Sequence, residues 1–385
     1  MALSLSKRVD AIVQSEIRNM SIECEKLGGI NLAQGVCDTE VPVVVRRAAQ
    51  AAMDDGLNSY TRYDGIDEIR LAISRKLRRD NGLDVDPRTQ VIVSAGSTGA
   101  FYSACLALLD PGDEVILFEP FYGYHLNTLR AVEAVPAFVR MSPPNWTFSA
   151  EEIRAAITPR TRAVMVCTPA NPSGKVFDAD ELRVVAEIAE DHDLFVFTDE
   201  IYEYFVYDGR EHVSPATLPG LSERCVTISG YSKTFSITGW RIGYAACSQR
   251  WAQTIGYMSD LVYVCAPAPL QRGVAAGIDG LGPEFYARLV DEYTRKRDAM
   301  CSALEAAGMA PYVPQGAYYV LADASGLPGR TSKEKAMELL ARAGVASVPG
   351  AAFYHDDGGE NLLRFCYAKR DNELGEACDR LGRFR

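Results

Sequence analysis

A lone lysine, Lys233, stands eight positions before an arginine, Arg241, in the stretch SGYSKTFSITGWRIGY at 229–244. Its neighbours Gly230, Ser232 and Thr234 are small or hydroxylated. Small residues let the backbone approach a flat molecule, and hydroxyls donate to phosphate oxygens. A primary amine so placed can trap a phosphorylated aldehyde, and Arg241 can clamp the phosphate bidentately. Taken alone, the segment fits a solvated lysine in a Ser/Thr-rich loop equally well.

Other segments carry chemistry of the same kind. VIVSAGSTGAF (91–101) is a strand, a Gly-Ser-Thr-Gly turn and a helix start. Free amides there would meet an anion with favourable dipole sign, although a plain strand-to-helix turn explains the segment as well. FEPFYGYH (118–125) puts Phe121, Tyr122 and Tyr124 beyond a strand end, where a ring can stack on a planar ligand or simply fill a core. In TPANPSGKVF (168–177) a Pro-containing turn can aim the amide of Asn171, or close as an Asx turn. Asp199 ends the apolar run of FVFTDEIYEYF (195–205), where an ionised group needs a partner; a protonated ring nitrogen is one, a helix cap another. Tyr202 follows three residues on. Tyr60 and Tyr63 precede a helix, and Arg364 lies in the strand-like LLRFCYAK, where arginine calls for an anion or a structural ion pair.

The elements that must position these residues follow from periodicity. Residues 90–250 alternate short apolar runs with helical patterns, the signature of a mainly parallel sheet wrapped by helices. Strands are predicted at 91–93, 115–118, 163–167, 194–198, 225–228 and 242–246. In 179–192, Leu182, Val185, Ala186 and Ile188 share one helix face that should pack on the sheet. The residues named above fall at strand carboxyl ends, where open α/β sheets gather ligands. Beyond about 282 the character changes to a long helix (283–308), PQGAYYVLAD, a helix at 332–343, and strand-like runs at 345–348 and 362–367. We expect an α/β domain over 46–285 and a smaller α+β domain from 1–45 and 286–385, with a helix at 7–27.

Composition sets the outer bounds. The chain has 385 residues, 48% hydrophobic and 24% charged, typical of a soluble globular protein. A net charge of -11 argues against a nucleic-acid binder. No stretch has signal-peptide character or the length of a membrane span, which leads us to expect a cytoplasmic protein. The ten cysteines form no CxxC pair and the four histidines have no metal-ligand spacing, so we expect no metal site, and none of the histidines is assigned a catalytic part.

In order, Tyr60, Gly96-Ser97-Thr98, Tyr122, Asn171-Pro172, Asp199, Tyr202, Lys233, Arg241 and Arg364 resemble the motif set of pyridoxal-phosphate-dependent aminotransferases of fold type I, class I/II. From Asn171 to Asp199 is 28 positions, then 3 to Tyr202, 31 to Lys233 and 8 to Arg241. The likeness runs from NLAQGVCD near residue 31 to RFCYAK near 364, and is nearest the kynurenine, glutamine-type and bacterial aspartate aminotransferase subgroup. It implies a seven-stranded type of sheet, pyridoxal 5′-phosphate as cofactor, and ping-pong exchange between an L-amino acid and a 2-oxo acid. Carried over, Lys233 is the Schiff-base lysine and proton shuttle, and Asp199 keeps the pyridinium nitrogen protonated. Asn171 and Tyr202 bond the phenolic oxygen, and Tyr122 stacks on the ring. Gly96, Ser97, Thr98 and Arg241 bind phosphate. Arg364, with the Gly35 amide, grips the α-carboxylate. Tyr60 resembles the tyrosine that reaches a neighbouring subunit's phosphate, implying a homodimer.

Two departures stand out. Gly230 occupies a position where the family often has a phosphate-binding serine, which passes part of that grip to Ser232 or Ser97. Thr98 stands where bacterial aspartate aminotransferases carry a lysine that reads a second carboxylate, and with RFCYAK this tilts the expectation towards large neutral donors. The same residues also support a pyridoxal-phosphate lyase or cyclase, working by elimination, replacement or oxidase chemistry.

Overall fold

A computed structural model describes residues 3–12 and 14–384. Its strands are β1 (Ile30–Asn31), β2 (Val91–Ala95), β3 (Glu114–Glu119), β4 (Val135–Arg140), β5 (Thr161–Cys167), β6 (Phe195–Asp199), β7 (Cys225–Gly230), β8 (Ile242–Ala246), β9 (Ala310–Tyr312), β10 (Tyr319–Asp323), β11 (Val345–Ala346), β12 (Val348–Pro349) and β13 (Leu362–Cys366). Seven of them form one sheet in the order β2-β8-β7-β6-β5-β3-β4. Only β8 runs antiparallel to its neighbours.

The predicted parallel sheet is therefore present, with one strand the sequence reading did not foresee. β4, VPAFVR, carries Pro136, which cannot donate to a ladder and so demotes a strand pattern. The structure resolves the conflict by placing β4 at the sheet edge, paired on one side only, to β3.

Side chains of the central strands alternate between two cores, as a strand covered on both faces requires. On β5, Val164 and Val166 join one cluster while Ala163 and Met165 join the other. The helix Ala179–Asp191 covers the first face. Asp178 opens it with a capping box closed by Glu181, and Leu182, Val185, Ala186 and Ile188 are buried. The helices Gly96–Leu108 and Gln249–Tyr263 supply apolar side chains to the second.

A second, antiparallel sheet has the order β12-β13-β10-β9, with Arg364 of β13 facing Leu321 on one side and Val348 on the other. The N-terminal segment reaches this region through a parallel pair, Ile30 opposite Val345 and Asn31 opposite Ala346. The helix expected at 7–27 is interrupted: a short 3-10 turn covers Lys7–Ala11, Ile12 and Ser15 are extended, and an α-helix runs over Glu16–Leu27 to Gly28 at φ 62°. The long helix predicted at 283–308 spans Pro283–Ala306, with Gly308 in the left-handed region just beyond it.

Candidate functional site

β2 passes directly into the helix Gly96–Leu108, whose cap residue Ala95 offers no side-chain hydrogen bond, so its first amides are left for an anion. Gly96 lies at φ 73°, and a Cβ on it would stand 2.4 Å from Arg241 Nη2. Glycine thus lets the guanidinium rest against the turn. Arg241 itself is left-handed at φ 57°, and its Nη1 donates to the Thr238 carbonyl at 3.0 Å.

Two more glycines form the floor of this cup. Gly230 and Gly243 face each other across β7 and β8. A Cβ on Gly243 would lie 2.5 Å from Ser97 N, and one on Gly230 would lie 2.9 Å from Gly243 Cα. Gly230 is therefore a packing requirement here and leaves no room for serine. The cavity is instead lined by Ser97, Thr98 and Ser232, whose hydroxyls have no hydrogen-bond partner among the described residues. Helix amides, free hydroxyls and a guanidinium form a donor set that fits a phosphate.

At the end of β6, Asp199 is buried, its Oδ1 accepting from the Ile201 amide at 3.2 Å and its Oδ2 lying 3.0 Å from His125 Nε2. His125 belongs to the helix Gly123–Ala131, which begins one residue after Tyr122. Its ring is held edge-on between Phe101 and Tyr122, each with a centroid 5.2 Å away. The sequence reading gave this histidine no role. Its partner Asp199 lies 74 positions away, so no local signal in the sequence marks it.

Lys233 Nζ donates to the Gly35 carbonyl at 3.1 Å and lies 5.9 Å from the Tyr202 ring centroid. Burial pushes its pKa below the ordinary lysine value, and the positive charge of Arg241 acts in the same direction. The Tyr202 hydroxyl meets that of Tyr319 at 2.9 Å, and burial, reinforced by Tyr319, drives its pKa well up, so the phenol keeps its proton.

Arg364 is fully buried, yet no carboxylate pairs with it among the described residues. Its Nη1 donates to Asn171 Oδ1 at 2.9 Å, its Nη2 donates to the Ala33 carbonyl, and its Nε has no partner. Such a cation is costly without an anion, so the site is built to receive one. Gly35 also lines the cavity, and a Cβ at that position would fall 1.9 Å from the Tyr319 hydroxyl. Glycine is needed there.

One cavity of about 440 Å³ brings together Gly35, Ser97, Thr98, Tyr122, Asn171, Asp199, Tyr202, Ser232, Lys233, Arg241 and Arg364. Gly96 backs it against Arg241. Tyr60 is the exception, 83% exposed and outside the lining.

An α/β fold whose strand ends gather a donor set that fits a phosphate, a half-buried lysine and a buried arginine without a carboxylate partner among the described residues is what this sheet and site define. The family model for aminotransferase class I and II matches residues 28–381, and the chain belongs to that family. A probable N-succinyldiaminopimelate aminotransferase of Mycobacterium tuberculosis is 36% identical over 373 residues, 94% of each chain. The solved N-succinyldiaminopimelate aminotransferase of the same organism superposes with a TM-score of 0.96 at 34% identity, covering 99% of this chain and 100% of that one. Kynurenine–oxoglutarate transaminase 3 of Rattus norvegicus is 32% identical over 406 residues, covering 97% of this chain and 88% of that protein. The chain is thus a pyridoxal-phosphate-dependent aminotransferase of fold type I, moving an amino group between an amino acid and a 2-oxo acid. Among the described residues no helix is long and apolar enough to cross a membrane.

Proposed function

We propose that Lys233 carries the cofactor as a Schiff base and shuttles the substrate's α-proton, in a ping-pong exchange between an L-amino acid and a 2-oxo acid. The observation that carries this is the half-buried Lys233 amine, with its lowered pKa, in one cavity with Asp199 and with Arg364, which has no carboxylate partner among the described residues. Pyridoxal phosphate, when bound, supplies a sink for the electrons left at the substrate α-carbon.

The chain's own groups do the rest. The amides of 96–98 and the side chains of Ser97, Thr98, Ser232 and Arg241 would hold the phosphate. Asp199, braced by His125, would pair with the ring nitrogen and favour its protonated form. Tyr202, which keeps its proton, would donate to the phenolic oxygen together with the Asn171 amide, and Tyr122 would cover the ring. Arg364 and the Gly35 amide fix the α-carboxylate, which holds the α-hydrogen near the lysine. Lys233, more easily uncharged than an ordinary lysine, takes that proton and returns it.

Tyr60 is assigned to the phosphate of a second subunit, which makes the working unit a homodimer. Its exposure supports this, as do the exposed apolar residues Leu261, Val262 and Val264 at the end of the helix Gln249–Tyr263, whose Tyr257 ring touches Tyr63 at 5.7 Å. We also assign 46–285 as the cofactor domain, 1–45 with 286–385 as the smaller domain, and the cytoplasm as location.

The test is the visible absorption of the purified protein and its Lys233→Ala variant, titrated with amino acids, with 2-oxo acid exchange and ammonia followed in parallel. We expect a band that responds to amino donors in the wild type, is altered in the variant, and accompanies exchange that needs an acceptor. A wild type without a responsive band, or steady ammonia release without an acceptor, overturns the reading.

A further inference from the structure

Two glutamates of the fold, Glu119 and Glu200, are wholly buried. Glu200 is satisfied from nearby in the chain, by the hydroxyls of Thr198 and Ser214 and the ring of His212. Glu119, the last residue of β3, draws instead on a residue 236 positions away. Its Oε1 accepts from the His355 amide at 2.6 Å and from His355 Nδ1 at 2.9 Å, and its Oε2 accepts from Arg140 Nη2 at 3.3 Å. A buried carboxylate needs its hydrogen bonds. Two of these three come from His355, and Arg140 Nη2 is shared with Asp356, which it meets at 2.6 Å. The His355 ring also lies flat on Phe138, with centroids 4.5 Å apart and planes 4° from parallel.

His355 lies at the tip of a loop whose base is closed by two glycines. A Cβ on Gly350 would stand 2.4 Å from the Gly359 carbonyl oxygen, and one on Gly359 would stand 2.3 Å from Gly350 C. Between base and tip, the turn Gly350–Phe353 ends in a buried phenylalanine. The Phe353 carbonyl accepts from the Phe121 amide at 2.9 Å, one residue before Tyr122. Its ring centroid lies 5.1 Å from the Arg364 guanidinium carbon, and that of Tyr319 lies 4.3 Å from the same atom. Arg364 has hydrogen bonds only to Asn171 and the Ala33 carbonyl among the described residues, so these rings help to set its plane. The plane matters, because a guanidinium takes a carboxylate in two parallel hydrogen bonds only when its fork faces the carboxylate edge-on.

We infer that His355 is a positioning residue for carboxylate binding: held on Glu119, it seats the loop 350–359 so that Phe353 fixes the plane of the Arg364 guanidinium. The inference rests on the reading above that Arg364 grips the substrate α-carboxylate. It adds a residue outside the cavity lining on which that grip depends. The amino donor and the 2-oxo acid both carry the carboxylate, so both half-reactions feel the loss of His355. The groups that serve proton transfer, Lys233 and Asp199, have no contact with the loop and keep their arrangement.

The test measures calorimetric binding of 4-methylpentanoate to the holoenzyme, a ligand with a carboxylate but no amine or oxo group, and reads KM and kcat for donor and 2-oxo acid alongside. His355→Ala weakens binding about tenfold and raises both KM values to a similar extent, while kcat and the visible absorption of the free holoenzyme stay nearly unchanged. His355→Asn, whose side-chain amide places a donor near the Nδ1 position, recovers most of the affinity. Glu119→Gln adds little on top of His355→Ala, since the two residues act through one contact. Asp357→Asn, which removes an exposed charge two residues on, leaves the affinity in place. Affinity unmoved by His355→Ala, a loss that His355→Asn does not recover, or an equal loss in Asp357→Asn overturns the inference. Arg364→Gln separates it from the reading beneath it. If Arg364→Gln abolishes binding and His355→Ala does not weaken it, only the positioning role falls; if Arg364→Gln leaves binding in place, the carboxylate reading of Arg364 falls and the positioning role with it.

Discussion

The Asp199 carboxylate has two fixed partners, the Ile201 amide and the His125 ring, and only the second is a side chain that can be removed. A hydrogen bond to a charged group contributes about 1.5–3 kcal/mol, which corresponds to about a tenfold to hundredfold change in rate if it is lost from the reacting complex. His125→Ala is therefore expected to lower kcat/KM by about that range, with His125→Gln recovering part by placing a donor near the Nε2 position. Because the histidine acts through Asp199, the visible absorption of the bound cofactor and its pH response should shift as well. An unchanged spectrum and pH profile beside lost activity would show that His125 only supports packing. Asp199 was legible in the sequence because a carboxylate closing an apolar strand is locally anomalous. His125 was not, since its partner lies 74 positions away and nothing within FYGYH reveals the meeting. Arg364 was legible for the same reason as Asp199, a charge in a strand pattern that the fold buries completely.

At the scale of elements, the phosphate cup depends on how closely β7, β8 and the start of the helix Gly96–Leu108 approach. Gly243→Ala places a methyl 2.5 Å from both Gly96 C and Ser97 N, backbone atoms that cannot swing aside. Overpacking of this kind costs about 1–3 kcal/mol, and here the displaced atoms are those that bind the anion. The variant should unfold at lower urea and bind pyridoxal phosphate more weakly, the latter read by dialysis against graded cofactor. Gly375→Ala is the counterpart. It sits inside the helix Asp371–Gly382 with nothing within 4 Å of the added methyl, so it should stabilise by about 0.5–1 kcal/mol. Equal effects from the two substitutions would refute the close-approach argument. The sequence announced the Gly-Ser-Thr-Gly turn but not these contacts. Gly230 could be seen only as a departure from a motif, whereas the structure gives its cause in Gly243 Cα. The edge strand β4 and the break between Ala11 and Glu16 were missed for a related reason: Pro136 weakens a local pattern that pairing to β3 overrides, and the helical pattern across 7–27 does not show where the chain turns extended.

At the scale of the whole molecule, the ten free cysteines, most of them buried, bias stability against alkali. Burial pushes the thiol of Cys247 up to about 12 and that of Cys366 up to about 11, from an ordinary value of 9.0. Cys105, Cys167 and Cys225 are raised well above that value, also chiefly by burial. Above pH 9 the unfolded chain releases these protons while the folded chain retains them, so stability is complete below that pH and declines as pH rises through the folded values. The limiting slope is about 1.4 kcal/mol per pH unit for each such thiol. Lys233 acts in the opposite sense, because its lowered pKa leaves the folded apoprotein with fewer protons than the unfolded chain up to the ordinary lysine range. One lysine is set against several thiols, so the balance still falls. The urea midpoint of the apoprotein should therefore drop between about pH 9 and 11. The double substitution Cys247→Ala and Cys366→Ala should flatten that drop even though it lowers stability at neutral pH by opening small cavities. A midpoint level across that interval, or a double variant with the wild-type slope, would mean that these thiols do not retain their protons in the folded state and that the burial ascribed to them is not what resists ionisation.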